Sequence, residues 1–385
     1  MTTSQQAIQN LFQSQWQIAL CLTGGGSRVA SDLLTVPGAS GTLLDVAIPY
    51  SAASLTEYLG QAPDQFCSRE TSLRMATVAW QKALRFSEAT ENASTHCMGV
   101  ACTASLASSR PKRGEHRIWI ATESASSSRV LSLNLKKGLR TRLEEETLAA
   151  ELLLYAINDA CGLTPPPLPN LNVDETVSIE FATVDPVIAQ LRSGDHAVAW
   201  ALPNGTVSAT ISQPPRGLLP GSFNPIHIGH RKLRSVAEEL IGGPVHFELS
   251  LVNAEKPPLN SFEIEQRRHQ FDDVALALSA APLFVDKARL FPGTTFVIGY
   301  DTAVRILDPR FYDGNQRGLR TSVEAVGSLG CSFLVAGRLT DSGFQSISDL
   351  PVPAELQDLF QPIPEDRFRE DVSSSGIRNA AAEQR

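Results

Sequence analysis

Apolar and polar positions follow different rhythms along this chain, and the rhythm sorts it into regions. Before residue 164, short apolar runs stand between helical stretches. WQIALCLTGGG reads as a strand entering a glycine turn, and DVAIPYS, CMGVACTA, HRIWIATES and RVLSLNL read as further strands. The stretch LRTRLEEETLAAELLLYAINDACG carries apolar residues at helical spacing and stops at Gly162, which predicts a helix ended by glycine. Prolines 165, 166, 167 and 169 then forbid helix and favour an extended linker, so the first domain is expected to span 1–164. Residues 165–212 hold this linker and VSIEFAT, a helical DPVIAQLRSG, HAVAWAL and TVSATIS. The last two are joined by Pro203-Asn204-Gly205, a hairpin signal, and the segment is expected to form a small βαββ unit. After Gln213-Pro214-Pro215-Arg216, the runs RGLLPGSF, VHFELSLV, PLFVDK, TTFVIGYD and CSFLVAG alternate with helical stretches. That alternation predicts a parallel sheet with crossover helices. The fold class expected is α/β: a Rossmann-like domain over 213–385, preceded by a separate α/β domain.

Composition narrows the classes of function. With 42% hydrophobic and 19% charged residues over 385 positions, the chain reads as soluble and globular, long enough for two cores. A net charge of -8 argues against a sequence-independent binder of RNA or DNA. The six cysteines show no CxxC pair and no zinc-like spacing with histidine, so they read as reduced thiols and no protein metal ligand is expected. The N-terminus lacks a signal-peptide pattern, and no apolar run approaches the roughly 18 residues of a membrane span, which predicts a cytoplasmic protein without a membrane partner.

The candidate chemistry gathers in Gly221-Ser222-Phe223-Asn224-Pro225-Ile226-His227-Ile228-Gly229-His230. This string lies between an apolar strand and a helix whose Leu233, Val236, Ala237, Leu240 and Ile241 share one face. Strand, glycine turn and helix N-terminus in that order aim free backbone N–H groups and the positive helix end at the C-terminal edge of a sheet, where an anion is stabilised. His227 and His230, three apart, can point at the same anion. Gly229 between them lets a ligand approach the backbone.

GSFNPIHIGH resembles the G-x-F-x-P-x-H-x-G-H pattern of the HxGH nucleotidyltransferase superfamily. Near the end, Val372-Ser373-Ser374-Ser375-Gly376-Ile377-Arg378 resembles the ISST-x-IR pattern of nicotinate and nicotinamide mononucleotide adenylyltransferases. Lys256-Pro257-Pro258-Leu259 with Arg267, and Phe296-Val297-Ile298-Gly299-Tyr300-Asp301, resemble further segments of that family. The resemblance covers roughly 216–385 and implies transfer of AMP from ATP to a pyridine mononucleotide, with release of pyrophosphate. It implies His227 and His230 as catalytic residues, with Gly221, Ser222, Phe223, Gly229, Ser373, Ser374, Ser375 and Arg378 binding ATP and its phosphates. Magnesium would bridge phosphate oxygens and water, held mainly by substrate. On the mononucleotide side stand Lys256, Gly299, Asp301, Phe311 and Tyr312. For Lys256 a solvated loop lysine is the alternative, and for Asp301 a helix N-cap. Phe311 and Tyr312 occupy the neighbourhood where the family often carries a stacking tryptophan. HIGH also opens the active site of class I aminoacyl-tRNA synthetases, but no KMSKS-like loop follows. Two alternatives stay open: transfer to another phosphorylated acceptor, of the pantetheine-phosphate or cytidylyl type, and a non-catalytic nucleotide sensor.

Residues 5–162 resemble the C-terminal domain of CinA proteins, whose members include nicotinamide mononucleotide deamidases, through Thr23-Gly24-Gly25, Val36-Pro37-Gly38-Ala39-Ser40 and Ile48-Pro49-Tyr50-Ser51. The chemical positions depart from that family. Leu20 and Cys21 stand where it has Glu-Ser, Leu55 stands where it has lysine, and Cys102-Thr103-Ala104-Ser105-Leu106 replaces a glycine-rich loop. A leucine cannot ionise, so the domain is expected to be a catalytically degenerate relative serving binding, dimerisation or regulation, and a homo-oligomer is compatible with it.

Overall fold

A computed structural model of the chain describes residues 2–89, 96–109, 113–252, 257–312, 314–340 and 343–369. The chain divides into two compact units, one of Met1–Ala189 plus Glu255–Glu265, the other of Gln190–Ala254 plus Gln266–Arg385. Each is a mixed α/β structure.

In the first unit, strand β1 (Gln17–Thr23) is buried at every position. Apolar residues without alternation suit a strand covered on both faces. It sits between β2 (Leu43–Ala47) and β3 (Cys97–Ser105), parallel to both. The sheet continues antiparallel through β4 (His116–Ser124), β5 (Ser127–Leu135) and β6 (Ser178–Thr183), in the order β2-β1-β3-β4-β5-β6. The helices are α1 (Thr3–Phe12), α2 (Arg28–Leu34), α3 (Ala52–Leu59), α4 (Arg69–Glu88) and α5 (Arg142–Ala160). The two-residue period of β1 divides them into layers. Leu20 and Leu22 pack with α1, α2 and α5 in one core, whereas Ala19 and Cys21 pack with α3 and α4 in another. Helix α5 begins with reciprocal bonds between Thr141 and Glu144 and ends just before Gly162, whose φ of 69° only glycine adopts readily.

Further along the chain run α6 (Pro186–Ser193), β7 (Val198–Ala201), β8 (Val207–Ser208), β9 (Gly217–Pro220), α7 (Ile228–Ile241), β10 (Val245–Ser250), α8 (Ser261–Arg268), β11 (Leu276–Ser279) and α9 (Phe284–Leu290). There follow β12 (Thr295–Gly299), α10 (Tyr300–Ile306), α11 (Gln316–Ser328), β13 (Ser332–Ala336), a small hairpin of β14 (Arg338–Thr340) and β15 (Gly343–Gln345), and β16 (Phe360–Ile363). The second sheet is ordered β16-β13-β12-β9-β10-β11-β7-β8. Its six strands from β16 to β11 are parallel, and β7 and β8 close one edge antiparallel. Alternation again sorts the side chains. Leu218, Phe296, Ile298, Phe333 and Val335 enter a core shared with α11, while Leu219 and Val297 face the opposite side, where α7 lies.

Two expectations are corrected. The segment 165–212 is not a unit of its own: β6 joins the first sheet beside β5, and β7 and β8 join the second beside β11. PLFVDK is not a strand, since Phe284 opens α9 and the strand is Leu276–Ser279 instead. The run LALS has no helical or alternating rhythm of its own, and becomes a strand because β10 and β7 supply ladder partners on both sides.

Candidate active site

Strand β9 ends at Pro220, and Gly221 donates its N–H to the Glu248 carbonyl at 2.9 Å, the last rung before the chain leaves the sheet. A Cβ at Gly221 would meet the Phe223 ring at 2.6 Å, so glycine is required there by close approach. Phe223 is fully buried, with φ of 43°, and its ring meets His230, Phe247 and Phe271 edge-on at 5.2, 5.3 and 5.2 Å. Phe223, which the motif resemblance assigns to ATP binding, thus packs beneath the loop with its ring against the first turn of α7. Ser222 is exposed on the loop.

His227 is the N-cap of α7 and His230 stands three residues inside, their rings 3.8 Å apart between centroids. His230 Nδ1 accepts from the backbone N–H of His227 at 3.2 Å. A ring nitrogen that accepts carries no proton, so the neutral ring is protonated on Nε2. Burial, reinforced by the neighbouring His227, lowers the His230 pKa to about 4. At neutral pH it is therefore an uncharged hydrogen-bond donor. Leu233 and Ala237 bury the inner face of α7, but Leu240, placed on that face by its spacing, is 40% exposed.

A cavity of about 500 Å³ opens in front of this helix end, at the C-terminal ends of β9, β12 and β13. Gly221, His227, Gly229, His230, Gly299 and Asp301 all line it, which brings together six of the residues singled out from the sequence. Asp301 lies in the first turn of α10, whose N-cap is Gly299 and not Asp301; its carboxylate pairs with Arg338 instead. Phe311 and Tyr312 stand elsewhere: Arg305 lies over the Phe311 ring, and the Tyr312 hydroxyl donates to the Ile306 carbonyl at 3.0 Å. The aromatic side chains at the cavity are Tyr300 and Phe368, among the described residues. Sequence reasoning missed these two and Arg338. Tyr300 had a signal, its place in the quoted strand end beside Asp301. Lys256, Ser373, Ser374, Ser375 and Arg378 lie outside the described residues.

The first unit has a glycine turn of its own. Gly24 has φ of 79°, and a Cβ there would fall 2.3 Å from the Ala104 carbonyl oxygen. Beyond it the Glu146 carboxylate accepts from Gly26 N–H at 2.9 Å, the Ser27 hydroxyl at 3.0 Å and Arg28 N–H at 3.2 Å. Arg142 donates to the Gly24 carbonyl at 2.8 Å. A cavity of about 410 Å³ beside this turn is lined by Thr23, Gly25, Tyr50, Arg142 and Glu146 among others. Leu20, Cys21 and Leu55 are buried, and burial pushes the Cys21 thiol up to about 12.

No known family pattern and no curated protein matches the sequence. Solved structures that are similar include the competence/damage inducible protein CihA from Agrobacterium tumefaciens, 16% identical with a TM-score of 0.34, covering 42% of this chain and 97% of that one. A CinA superfamily protein from Escherichia coli is 13% identical with a TM-score of 0.32, covering 40% of this chain and 86% of that one. Competence damage-inducible protein A from Klebsiella pneumoniae is 10% identical with a TM-score of 0.31, covering 42% of this chain and 96% of that one. The likeness lies in the N-terminal region. Among the described residues no helix is long and apolar enough to cross a membrane.

Proposed function

We propose that the second unit is a nucleotidylyltransferase that moves AMP from ATP onto the phosphate of a nicotinamide or nicotinate mononucleotide, forming NAD or its deamido form and pyrophosphate. The observation that carries this reading is the pair His227 and His230 at the N-terminus of α7, both lining a cavity at the C-terminal edge of a parallel sheet. In the reaction an acceptor phosphate oxygen bonds to the α-phosphorus while the bond from that phosphorus to the bridging oxygen breaks. No protein nucleophile is needed, so the protein contributes position and charge stabilisation. A neutral His230 held with its proton on Nε2 supplies a donor to the charge growing on the α-phosphoryl oxygens, and backbone N–H groups of the first turn of α7 add the helix field.

Magnesium would enter on the triphosphate and neutralise its oxygens. Asp301 is the carboxylate among the described lining residues, and it is engaged by Arg338; one such group fits an ion carried mainly by phosphate and water. Arg338 and Asp301 can exchange each other for a phosphate and a ribose hydroxyl. The segment Ser373–Arg378 is assigned to the β and γ phosphates by its motif. For the first unit we propose a binding or regulatory role without catalysis: Leu55 is buried where the CinA family has a lysine, and Cys21 is a buried, protonated thiol.

The test is pyrophosphate release by the purified protein with ATP, magnesium and a panel of phosphate acceptors. Turnover confined to pyridine mononucleotides supports the assignment. Turnover with phosphopantetheine or a cytidylyl donor moves it to that chemistry, and tight ATP binding without turnover on any acceptor makes the site a sensor.

A further inference from the structure

The loop that delivers His227 leaves the sheet after Gly221, and two of its backbone groups turn to one side chain. Gln270 Nε2 donates to the Phe223 carbonyl at 2.9 Å, and Gln270 Oε1 accepts from the Ile226 N–H at 2.9 Å. A primary carboxamide carries a donor and an acceptor on one rigid plane, so it can close a carbonyl and an N–H three residues apart as a neighbouring strand would. The side chain is itself held. Its Nε2 also donates to the Arg267 carbonyl at 3.3 Å, and the Arg231 guanidinium donates to the Gln270 carbonyl at 3.2 Å while pairing with Asp273 at 2.6 Å. Arg231 belongs to the first turn of α7. The turn at 270–273 is thereby tied both to the loop before the histidines and to the helix after them.

We infer that the Gln270 carboxamide is a positioning residue for the His227–His230 pair, setting the path of the loop so that the His227 N–H reaches His230 Nδ1. Ile226 directly precedes His227, and the His227 N–H is the donor that selects the His230 tautomer. Loss of the clamp frees the loop to shift the N-cap, and a shifted N-cap withdraws that donor. Both ring nitrogens of His230 then compete for the proton, and the donor at the reacting phosphate is present only part of the time. This role rests on reading the cavity as a site of nucleotidyl transfer, but its structural half, the control of the tautomer, does not.

Gln270→Glu and Gln270→Ala separate the possibilities. Glutamate keeps the acceptor for Ile226 N–H but turns a second acceptor on the Phe223 carbonyl, and only when protonated does it regain a donor. In Gln270→Glu, kcat should fall about tenfold to a hundredfold at pH near 8, with the KM for ATP changing less than about threefold. The deficit relative to the parent should narrow as pH falls toward about 5.5, where the carboxyl begins to protonate. The deficit of Gln270→Ala should not change with pH. Nitrogen-15 spectra of the histidine rings should show His230 as the Nε2–H tautomer in the parent and as a mixture in Gln270→Glu at high pH. Turnover within about twofold of the parent in both variants, with unchanged ring spectra, overturns the inference. If the parent transfers no nucleotide to any acceptor, the functional reading fails and the spectra decide alone: an altered His230 tautomer at an unchanged melting temperature keeps the positioning role, and an unaltered one removes it. Should Gln270→Ala not fold, Gln270→Glu carries the test.

Discussion

The two glycine turns of this protein start from the same local design and end in opposite states. Each follows a strand and opens a helix: β1 runs through Gly24 to Gly26 into α2, and β9 runs through Gly221 into α7. In the first, Glu146 from α5 accepts from Gly26, Ser27 and Arg28, so the anion that such a turn attracts is supplied by the chain itself. In the second, His227 and His230 line a cavity of about 500 Å³, somewhat larger than the one of about 410 Å³ beside the first turn. The same local design of strand, glycine turn and helix N-terminus, which favours an anion, is thus already met by a carboxylate of the chain in the first turn.

The largest expected effect falls on the open turn. His230→Ala should lower turnover by roughly 10²–10³, equivalent to about 2.7–4 kcal/mol of transition-state stabilisation, with the melting temperature nearly unchanged. A loss under about threefold in steady-state rate would erase the functional side of the contrast between the turns.

Next comes Arg378→Lys. A point ammonium cannot reproduce the bidentate fork of a guanidinium, so the apparent ATP affinity should weaken about tenfold. Unchanged ATP titration curves would leave that segment with a merely local role.

The closed turn is tested by Glu146→Ala. Removing three accepted hydrogen bonds should cost the first unit about 1–2 kcal/mol, read as faster hydrogen exchange at the Gly26 and Arg28 amides, while nucleotidyl transfer stays within about twofold. Equal protection in the variant would mean that the carboxylate does not hold the turn.

The comparison is sharpened last by the pH response of the open turn. Burial holds His230 at about 4 in the folded protein, against the ordinary histidine value of 6.5 in the unfolded chain. Between those values the unfolded chain binds the proton and the folded ring does not. The stability contribution of His230 is thus present above about pH 6.5 and is lost as pH falls toward 4. A proton-NMR titration of the ring should show a midpoint near 4, and one at or above 6.5 would contradict the burial described.

How much of this was legible in the sequence follows from how local each feature is. The strand, glycine turn and helix around His227 and His230 were readable because neighbours along the chain create them. The helix over Arg142–Ala160 was readable for the same reason, through Thr141, Glu144 and Gly162. The fate of Ser178–Thr183 and Val198–Ala201 was not, because the sheet a short strand joins is decided by a ladder partner far along the chain, and neither rhythm nor composition names that partner. Phe223 reads as part of a ligand loop until its ring is seen to fill the space beneath Gly221. Glu146 and Gln270 carry no pattern at all: one is an acidic residue in an acidic helix and the other a surface-like glutamine. Their importance lies in which backbone groups they meet after folding.

Glu255–Glu265 belongs to the first unit although the chain on either side belongs to the second. Within it, Ser261 donates its backbone N–H to the Ser128 hydroxyl at 2.8 Å, and the Phe262 ring lies under the Arg69 guanidinium at 4.5 Å. A ribosome releases this chain from its N-terminus, so the first unit cannot complete those contacts until more than half of the protein has been synthesised. Vectorial folding, in which an N-terminal domain closes before the next one emerges, is interrupted here by a return stitch. A nascent chain stalled near residue 215 should accordingly expose the surface beside Ser128 and Arg69 to proteases that the released protein resists.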